Sequence, residues 1–260
     1  MGKLSNLFTQ VRKARSGKGI GFVGKNTLAA KPRAAALLVE LNKADAGNAE
    51  AAVKAGADGL IFVWKGDENT EVLGKAVAAA HVAGEDVLAG LYIRSGWEKL
   101  ERADFEKFKE SGLSFVILPL NAPARLLALE IKDMEAIVSV PMRSGELYPV
   151  FIRNLSAFDS VTAVHLDFDL NSEIGDLSIE DVLHYRAVRE AIHAPALVNV
   201  KGVPGEDDAY ALLALGIQAV VLMESKDTAT TSQQIRDLHD LLEKVHQEDK
   251  EASKLGLNVR

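Results

Sequence analysis

The chain has no cysteine among its 260 residues. Disulfides, thiolate metal sites, cysteine nucleophiles and thiolate-held iron–sulfur clusters are therefore excluded, and nothing indicates an oxidising compartment. A membrane-spanning segment is also missing, because the longest apolar stretch, Ala209 to Met223, is interrupted by Gly216 and Gln218 and is shorter than the roughly 20 residues required. The first residues lack the apolar core of a secretory signal. We expect a cytoplasmic protein with no membrane partner.

Acidic residues are absent from positions 1–33, which carry eight Lys or Arg side chains. Positions 34–260 hold 22 basic and 37 acidic residues, a net charge of −15. A basic arm of this kind either binds nucleic acid, a membrane or an anionic ligand, or lies across its own acidic domain. Nucleic-acid binding usually makes a whole domain basic, so the second interpretation is favoured and nucleic acid is an unlikely partner. We predict a basic arm, 1–33, and a single domain, 34–260.

The arm contains two recognisable parts. Leu4, Leu7, Phe8 and Val11 share one side of a predicted amphipathic helix. The segment GKGIGFVGKNT, residues 17–27, then has the glycine spacing of a dinucleotide-binding loop. That loop needs a strand before it and a helix after it, and neither pattern is present, so a dinucleotide site is not favoured. The loop either supplies Lys18 or Lys25 to an anion or is a connector.

Apolar runs of strand length recur through the domain and alternate with segments of helical spacing. The eight predicted strands are Ala35–Leu41, Gly59–Trp64, Val87–Ile93, Ser114–Leu120, Ala136–Val140, Thr162–Phe168, Ala196–Val200 and Gln218–Met223. Four junctions from helix to strand carry a glycine, at positions 56, 84, 112 and 216, where a left-handed helix end is expected. Strands that are apolar on both faces, connected by helices, predict a parallel sheet. Eight such units favour a (β/α)₈ TIM barrel, with an open doubly wound sheet as the alternative.

The active sites of such barrels lie at the carboxyl ends of the strands. Side chains alternate along a strand, so His165, Asp167 and Asp169 share one face and should point inward at the mouth. A lysine in a low-dielectric mouth can act as a Schiff-base nucleophile or a proton donor, with a neighbouring carboxylate as relay. Lys201 and Asp167 are the predicted catalytic pair, with Glu40 as a third catalytic residue. A buried ion pair or a solvated lysine is the structural alternative.

Several further residues at the strand ends are predicted to bind substrate. Arg94 and Arg143 have the paired N–H donors that clamp a carboxylate or phosphate. The remaining candidates are Lys65, Asn199, Gly202 and Glu224. Glu40, Asp167, Asp169 and Glu224, with His165 nearby, offer oxygen ligands for Mg²⁺, although no tight ligand spacing supports a metal.

The segment LVNVKGVPGEDDAYALLALGIQAVVLMES resembles the strand 7 to strand 8 region of phosphate-binding, aldolase-type TIM barrels. The matching positions are Gly202, Val203, Glu206, Asp207, Leu215 and Gly216. The resemblance implies the superfold and a phosphate site at these loops. Met223 stands where the family has a glycine, and Glu224 follows it, which opposes a phosphate at this place.

Two narrower resemblances are partial. VELNKAD is similar to the first strand of indole-3-glycerol phosphate synthases; Glu40 matches, but Asn42 occupies the position of the catalytic lysine, so the activity is not carried over. The LALG helix and strand 8 are similar to flavin-dependent oxidoreductases of the nitronate monooxygenase type, which have a double-glycine turn where this chain has VKGVPG. That resemblance implies FMN.

The expected function is a lyase or isomerase acting on a small anionic metabolite, carboxylate or phosphate, without a required cofactor. The alternatives are a flavin-dependent oxidoreductase and a catalytically degenerate barrel that serves as a binding or assembly module. A homo-oligomer is compatible with each of them.

Overall fold

The computed structural model describes residues 2–16, 33–66, 68–142, 152–168 and 177–254. The strands in this part of the chain are β1 (Ala36–Leu41), β2 (Gly59–Trp64), β3 (Leu88–Ile93), β4 (Phe115–Pro119), β5 (Glu135–Pro141), β6 (Val161–Asp167), β7 (Ala196–Val200) and β8 (Ala219–Met223). The α-helices are α1 (Lys3–Ser16), α2 (Ala46–Ala55), α3 (Thr70–Ala83), α4 (Arg102–Glu110), α5 (Ala124–Leu127), α6 (Ile179–Ile192), α7 (Glu206–Ala214) and α8 (Thr228–Lys254). Short 3₁₀ turns occupy Trp97–Lys99 and Arg153–Ala157.

The eight strands pair in parallel, each with the next, and β8 closes on β1. This is a (β/α)₈ TIM barrel, as the alternation of apolar runs and helical segments predicts, and each strand lies within one residue of its predicted ends. The open doubly wound sheet is excluded. None of the described helices is long and apolar enough to cross a membrane.

Side-chain alternation divides the core into two apolar layers. The odd-numbered residues of β1, such as Leu37 and Val39, face the helices, whereas the even-numbered Ala36 and Leu38 face the barrel interior. The same parity on β6 turns Val164 and Leu166 outward, as expected. The interior layer is apolar toward the amino ends of the strands and becomes polar toward their carboxyl ends, so the functional groups collect at one end of the barrel.

The amino-terminal end of the barrel is closed by α1. Leu4 and Phe8 are buried in the interior apolar layer, and Leu7 and Val11 pack against it, which confirms the predicted apolar side of this helix. Glu135 at the start of β5 accepts hydrogen bonds from the backbone N–H groups of Leu4, at 2.8 Å, and Ser5, at 3.1 Å, and from the Ser5 hydroxyl. The described part of the arm therefore lies on its own domain. The glycine-rich loop, with Lys18 and Lys25, lies outside the described residues.

The glycines at the helix-to-strand junctions are of two kinds. Gly56, Gly112 and Gly216 have positive φ, as expected for a left-handed helix end. Gly84 does not: its backbone is extended, with φ of −156°, so this prediction is wrong. A Cβ on Gly84 would lie 2.8 Å from the Val53 Cγ1 atom on α2, so close packing of two helices accounts for the glycine there.

Gly90 tests how tightly the barrel interior is packed. A Cβ at this position of β3 would lie 2.1 Å from the Phe115 ring on β4. Gly90→Ala should therefore lower the free energy of unfolding by roughly 1–3 kcal/mol through overpacking. The matched control is Gly74→Ala in α3, where the nearest atom is 3.7 Å away; it should raise stability by about 0.5–1 kcal/mol. Urea unfolding measures both, and the prediction fails if Gly90→Ala matches the wild type.

Glu135 tests the closure of the barrel by α1. Removing its carboxylate in Glu135→Ala leaves buried N–H donors at the start of the helix without an acceptor, which should cost about 2 kcal/mol of unfolding free energy. Glu106→Ala, which removes an exposed (i, i+4) pair with Arg102, should cost less than about 0.5 kcal/mol. Equal losses in urea unfolding for the two variants would contradict the proposed role of Glu135.

Candidate functional site

Polar side chains from five strands converge on the carboxyl-terminal mouth of the barrel. Each belongs to the inward parity of its strand, two to four residues beyond an apolar interior residue. The set is Glu40 on β1, Tyr92 and Arg94 on and after β3, Ser139 on β5, His165 and Asp167 on β6, and Asn199 on β7. Interior apolar neighbours such as Ile117, Ile137 and Leu197 lie beneath them.

Glu40 and Arg94 form an ion pair across β2. The Arg94 Nη2 atom lies 2.6 Å from Glu40 Oε1, and the Glu40 side chain is 2% exposed, whereas that of Arg94 is 38% exposed. The guanidinium also lies over the Tyr92 ring, 4.9 Å from its centroid. Two partners therefore hold Arg94 in a defined orientation while part of the side chain remains open to solvent at the mouth.

Burial raises the pKa of Glu40 above its ordinary value of 4.5. Arg94 opposes this rise through its charge and its hydrogen bond, and the negative charge of Asp167 adds to it. Desolvation is the largest of these effects, because the carboxylate loses its water and, among the described residues, gains one charged partner, Arg94. A raised pKa brings a carboxyl group closer to the range in which a general acid or base works.

A second polar group crosses the interior beside this pair. The Tyr92 hydroxyl donates to Ser139 Oγ at 3.1 Å, and Ser139 Oγ lies 2.9 Å from His165 Nδ1. The other ring nitrogen, Nε2, lies 2.8 Å from Asn199 Oδ1. These contacts link β3, β5, β6 and β7 through four side chains.

Burial sets the charge state of two members of this group. It lowers the pKa of His165 below 6.5, an effect that the Asn199 hydrogen bond and the charge of Asp167 partly offset. Burial also raises the pKa of Tyr92, against the hydrogen bond to Ser139. Both side chains are therefore neutral near neutral pH.

The predicted catalytic residues occupy different environments. Glu40 is buried, Asp167 is half-buried on the inward face of β6, and Lys201 is exposed beyond the end of β7. The low-dielectric surroundings expected for Lys201 are therefore not observed, because the chain has left the barrel at this point. Its catalytic role remains a prediction.

The predicted substrate-binding residues also divide. Arg94 and Asn199 lie at the mouth, where the structure brings them together with Glu40 and His165. Gly202, with φ of 80°, shapes the loop after β7. Arg143 and Asp169 lie outside the described residues.

Glu224 and Lys65 make contacts with neighbouring segments of the chain. The Glu224 carboxylate accepts from the Asn42 backbone N–H at 2.8 Å and from Asn48 Nδ2 at 3.0 Å, which ties β8 to the segment after β1. Lys65 is exposed, and its backbone N–H donates to Glu68 at 2.7 Å. The substrate-binding roles of both residues remain predictions.

Two loops of the mouth meet at a pair of glycines. A Cβ on Gly66 or Gly96 would lie 2.7 or 2.3 Å from the other residue's Cα, and both have positive φ. The Ser95 hydroxyl donates to the Lys65 carbonyl at 2.9 Å beside this contact. The loops after β2 and β3 are thereby held together next to Arg94.

The oxygen ligands considered for Mg²⁺ are largely engaged by protein groups. Glu40 pairs with Arg94, Glu224 binds the segment after β1, and both nitrogens of His165 have partners. A different group with metal-ligand chemistry, His239, Asp240 and Glu243 on α8, has ligand atoms within 4.8 Å of one another. It lies on an outer helix, and its residues have no part in the mouth.

Tyr92 and Ser139 are site members without a role predicted from the sequence, and His165 is predicted at the mouth only as a neighbour of possible Mg²⁺ ligands. Tyr92 and His165 could be placed at the mouth by strand parity, but Ser139 sits within the apolar segment AIVSV, which carries no sign of chemistry. Its partnership with His165 follows from their pairing in the β5–β6 register.

The chain matches no protein-family model and no curated protein sequence. In fold it is similar to Mycobacterium tuberculosis tryptophan synthase, at 16% identity and a TM-score of 0.68, over 94% of this chain and 99% of that chain. Phosphoribosyl anthranilate isomerase from Thermus thermophilus has 16% identity and a TM-score of 0.58, with 81% and 99% covered. Homocysteine methyltransferase from Escherichia coli has 13% identity and a TM-score of 0.58, with 80% and 96% covered. These similarities establish the TIM-barrel superfold without a specific family.

The Glu40–Arg94 pair predicts a pH-dependent loss of stability in Arg94→Met. Without the guanidinium the pKa of Glu40 rises further, so keeping the carboxylate ionised costs folding free energy above that pKa. Below 4.5, the ordinary value, Glu40 is protonated in folded and unfolded chains and the deficit should disappear. We expect Arg94→Met to lower the free energy of unfolding by about 2 kcal/mol near neutral pH. This loss is smaller than for a fully buried pair because Arg94 is partly exposed.

Urea unfolding across pH measures this effect. Glu40→Gln combined with Arg94→Met should restore most of the loss, since no buried charge remains. Lys54→Met removes an exposed (i, i+4) pair with Glu50 and should change stability by less than about 0.5 kcal/mol. An Arg94→Met deficit that stays constant with pH would show that the pair does not control Glu40.

Proposed function

We propose that the chain is a lyase or isomerase that moves a proton on a small carboxylate-bearing metabolite at the mouth of the barrel. The observation that carries this proposal is the buried Glu40, whose pKa is raised by burial, in contact with a half-exposed, oriented Arg94. The pair combines a group able to exchange a proton with a fixed positive charge. Inward carboxylates at the mouth of this fold are well placed for such chemistry.

Arg94 is the proposed anchor for the substrate anion. Glu40 and Tyr92 hold the guanidinium before substrate arrives, so little conformational entropy is lost when an oxyanion binds. The paired N–H donors of arginine match the two oxygens of a carboxylate. Arg143 remains a proposed second anion ligand, and Gly202 a proposed part of the substrate loop.

Glu40 is the proposed general base. In its ionised form it takes a proton from a carbon next to the substrate carboxylate or carbonyl, and the electron pair of the broken C–H bond moves into the substrate. An isomerase returns the proton to a different atom; a lyase expels a leaving group that accepts a proton from a second acid. Asp167 on β6, close enough to influence Glu40 electrostatically, and Lys201 are the candidates for that acid. Lys201 alternatively forms a Schiff base with a carbonyl substrate.

A carboxylate is favoured over a phosphate by the charges around the later loops. Glu206, Asp207 and Asp208 occupy the first turn of α7, and Glu224 follows β8. These acids surround the place at which many TIM barrels bind a phosphate. Arg94 lies on the opposite side of the strand order, after β3, so the anion is proposed to bind there.

Proton exchange tests the proposed activity without knowledge of the product. A panel of small oxo- and hydroxycarboxylates is incubated with the protein in D₂O, and mass spectrometry records deuterium incorporated at carbon. Glu40→Gln should reduce exchange by roughly 10²–10⁴-fold. Arg94→Met should mainly raise the substrate concentration that is required for exchange, because it removes the proposed anion anchor. The acidic limb of the wild-type pH profile should lie above 4.5, because burial raises the pKa of Glu40.

Glu106→Gln, on the exposed face of α4, is the matched carboxylate control and should exchange like the wild type. Full exchange by Glu40→Gln would contradict the assigned base. Borohydride trapping of Lys201 with a carbonyl substrate would favour the Schiff-base route, and a flavin absorption spectrum of the purified protein would favour the oxidoreductase alternative. Absence of exchange and of ligand-induced stabilisation across the panel would favour a binding or assembly module.

A further inference from the structure

We propose that Tyr92, Ser139 and His165 form a positioning chain that orients the Asn199 side-chain amide, so that its NH₂ group binds an oxygen of the substrate whose anionic group is held by Arg94. This inference rests on the proposed function and deepens it, because it defines a second polar contact and thus the shape of the ligand. It assigns binding to Asn199 and positioning to the three residues behind it.

With the Tyr92 hydroxyl as the donor to Ser139 Oγ, the hydrogen bonds run in one direction along the chain. Tyr92 donates its hydroxyl hydrogen to Ser139 Oγ, so the Ser139 hydroxyl donates onward to His165 Nδ1. A neutral imidazole has one acceptor and one donor nitrogen, so Nε2 carries the hydrogen. It donates to the carbonyl oxygen of Asn199, Oδ1. Each step follows from the previous one, and the last determines which end of the amide faces His165.

The outer end of the chain is a donor group. With Oδ1 bound to His165, the Asn199 NH₂ group is directed away from the imidazole, and none of the described residues accepts a hydrogen bond from Nδ2. Asn199 is half-buried, whereas Ser139 and His165 are 3% and 1% exposed. The chain therefore begins in the dry interior and ends with two N–H donors at the edge of the mouth.

Stability alone does not account for these four polar residues. Apolar side chains fill the same interior below them, and each buried polar group costs about 1–3 kcal/mol if its partner is lost. Fully paired networks of this type fix side-chain orientation more effectively than they add stability. A network that ends in an amide donor with no acceptor among the described residues, at the same mouth as the proposed anion anchor, is suited to recognition.

The ligand class follows from the two contacts. Arg94 lies over the Tyr92 ring at one end of the chain, and Asn199 is hydrogen-bonded to His165 at the other end, both on inward positions at the same mouth. The arginine supplies charge, and the amide supplies neutral donors that distinguish an oxygen acceptor from a methyl group. A carboxylate adjoining a carbonyl or hydroxyl oxygen, as in a 2-oxo or 2-hydroxy acid, satisfies both contacts.

Nuclear magnetic resonance tests the positioning chain without substrate. The ¹⁵N shifts of His165 should identify a neutral ring protonated at Nε2, and the Asn199 side-chain amide should give one sharp pair of resonances. His165→Gln retains an acceptor for Ser139 and a donor for Asn199, so the amide resonances should persist. Ser139→Ala and His165→Leu should broaden or shift them. A ring protonated at Nδ1, or amide resonances unaffected by His165→Leu, would overturn the inference.

Titration with pyruvate, and with acetate as the probe that lacks the second oxygen, tests the recognition step. Pyruvate should shift both the Arg94 Nε and the Asn199 Nδ2 resonances and should bind about tenfold more tightly than acetate. Asn199→Asp keeps an acceptor for His165 but removes the NH₂ donors, so it should lose about tenfold in pyruvate affinity. His165→Gln should retain affinity and His165→Leu should lose severalfold.

Two results would overturn the inference: equal pyruvate affinity in Asn199→Asp and wild type, or no movement of the Asn199 resonance across the millimolar range. The outcome is separable from that of the proposed function, which depends on Glu40. Exchange that requires Glu40, together with unchanged binding by Asn199→Asp, would reject the recognition role of Asn199 alone.

Discussion

The site depends on the alternation of side chains along eight parallel strands that close into a ring. Closure forces every second residue into one narrow interior, where it has to be packed or paired. At the amino-terminal end this space is filled by Phe115 against Gly90 and sealed by α1. At the carboxyl-terminal end the same parity brings acids, bases and amides into contact. Both ends of the barrel interior result from this one geometric constraint. Apolar packing satisfies it at the amino-terminal end, and hydrogen bonds satisfy it at the carboxyl-terminal end.

The polar side chains at the carboxyl-terminal end form two groups, one charged and one neutral. Glu40 and Arg94 share one contact, and Asp167 lies within electrostatic reach of Glu40. The group around His165 is neutral, because burial disfavours both the imidazolium and the Tyr92 phenolate. A neutral hydrogen-bonded framework beside a partly exposed charge pair holds its side chains in place without adding charge of its own, so the charge at this part of the mouth is that of Glu40, Arg94 and Asp167.

Sequence reasoning predicted the barrel and its strands because strands buried on both faces have a simple apolar signature. It also placed Glu40, Arg94, Asp167 and Asn199 at the mouth, from their positions at the carboxyl ends of the predicted strands and, for Asp167 and Asn199, from strand parity. Parity does not reveal which residues meet across strands: Ser139 pairs with His165 through the β5–β6 register, and Arg94 reaches Glu40 over β2. The exposure of Lys201 could not be predicted from parity either, since its distance from the interior depends on where β7 ends. Cross-strand register is long-range information that local patterns do not contain.

The position of the charge pair argues for a ligand orientation different from that of phosphate-binding barrels. Such barrels use backbone amides after strands 7 and 8, where this chain has an acidic first turn on α7 and Met223 with Glu224. Glu206 pairs with Lys244 on α8, at 2.7 Å, and Glu224 binds Asn42 and Asn48. Carboxylates thus occupy that end of the barrel, and their negative charge is the reason for proposing that an anion binds at Arg94 instead. The fold similarity at 13–16% identity is consistent with this difference, because a shared barrel leaves the loops free to carry the charge elsewhere.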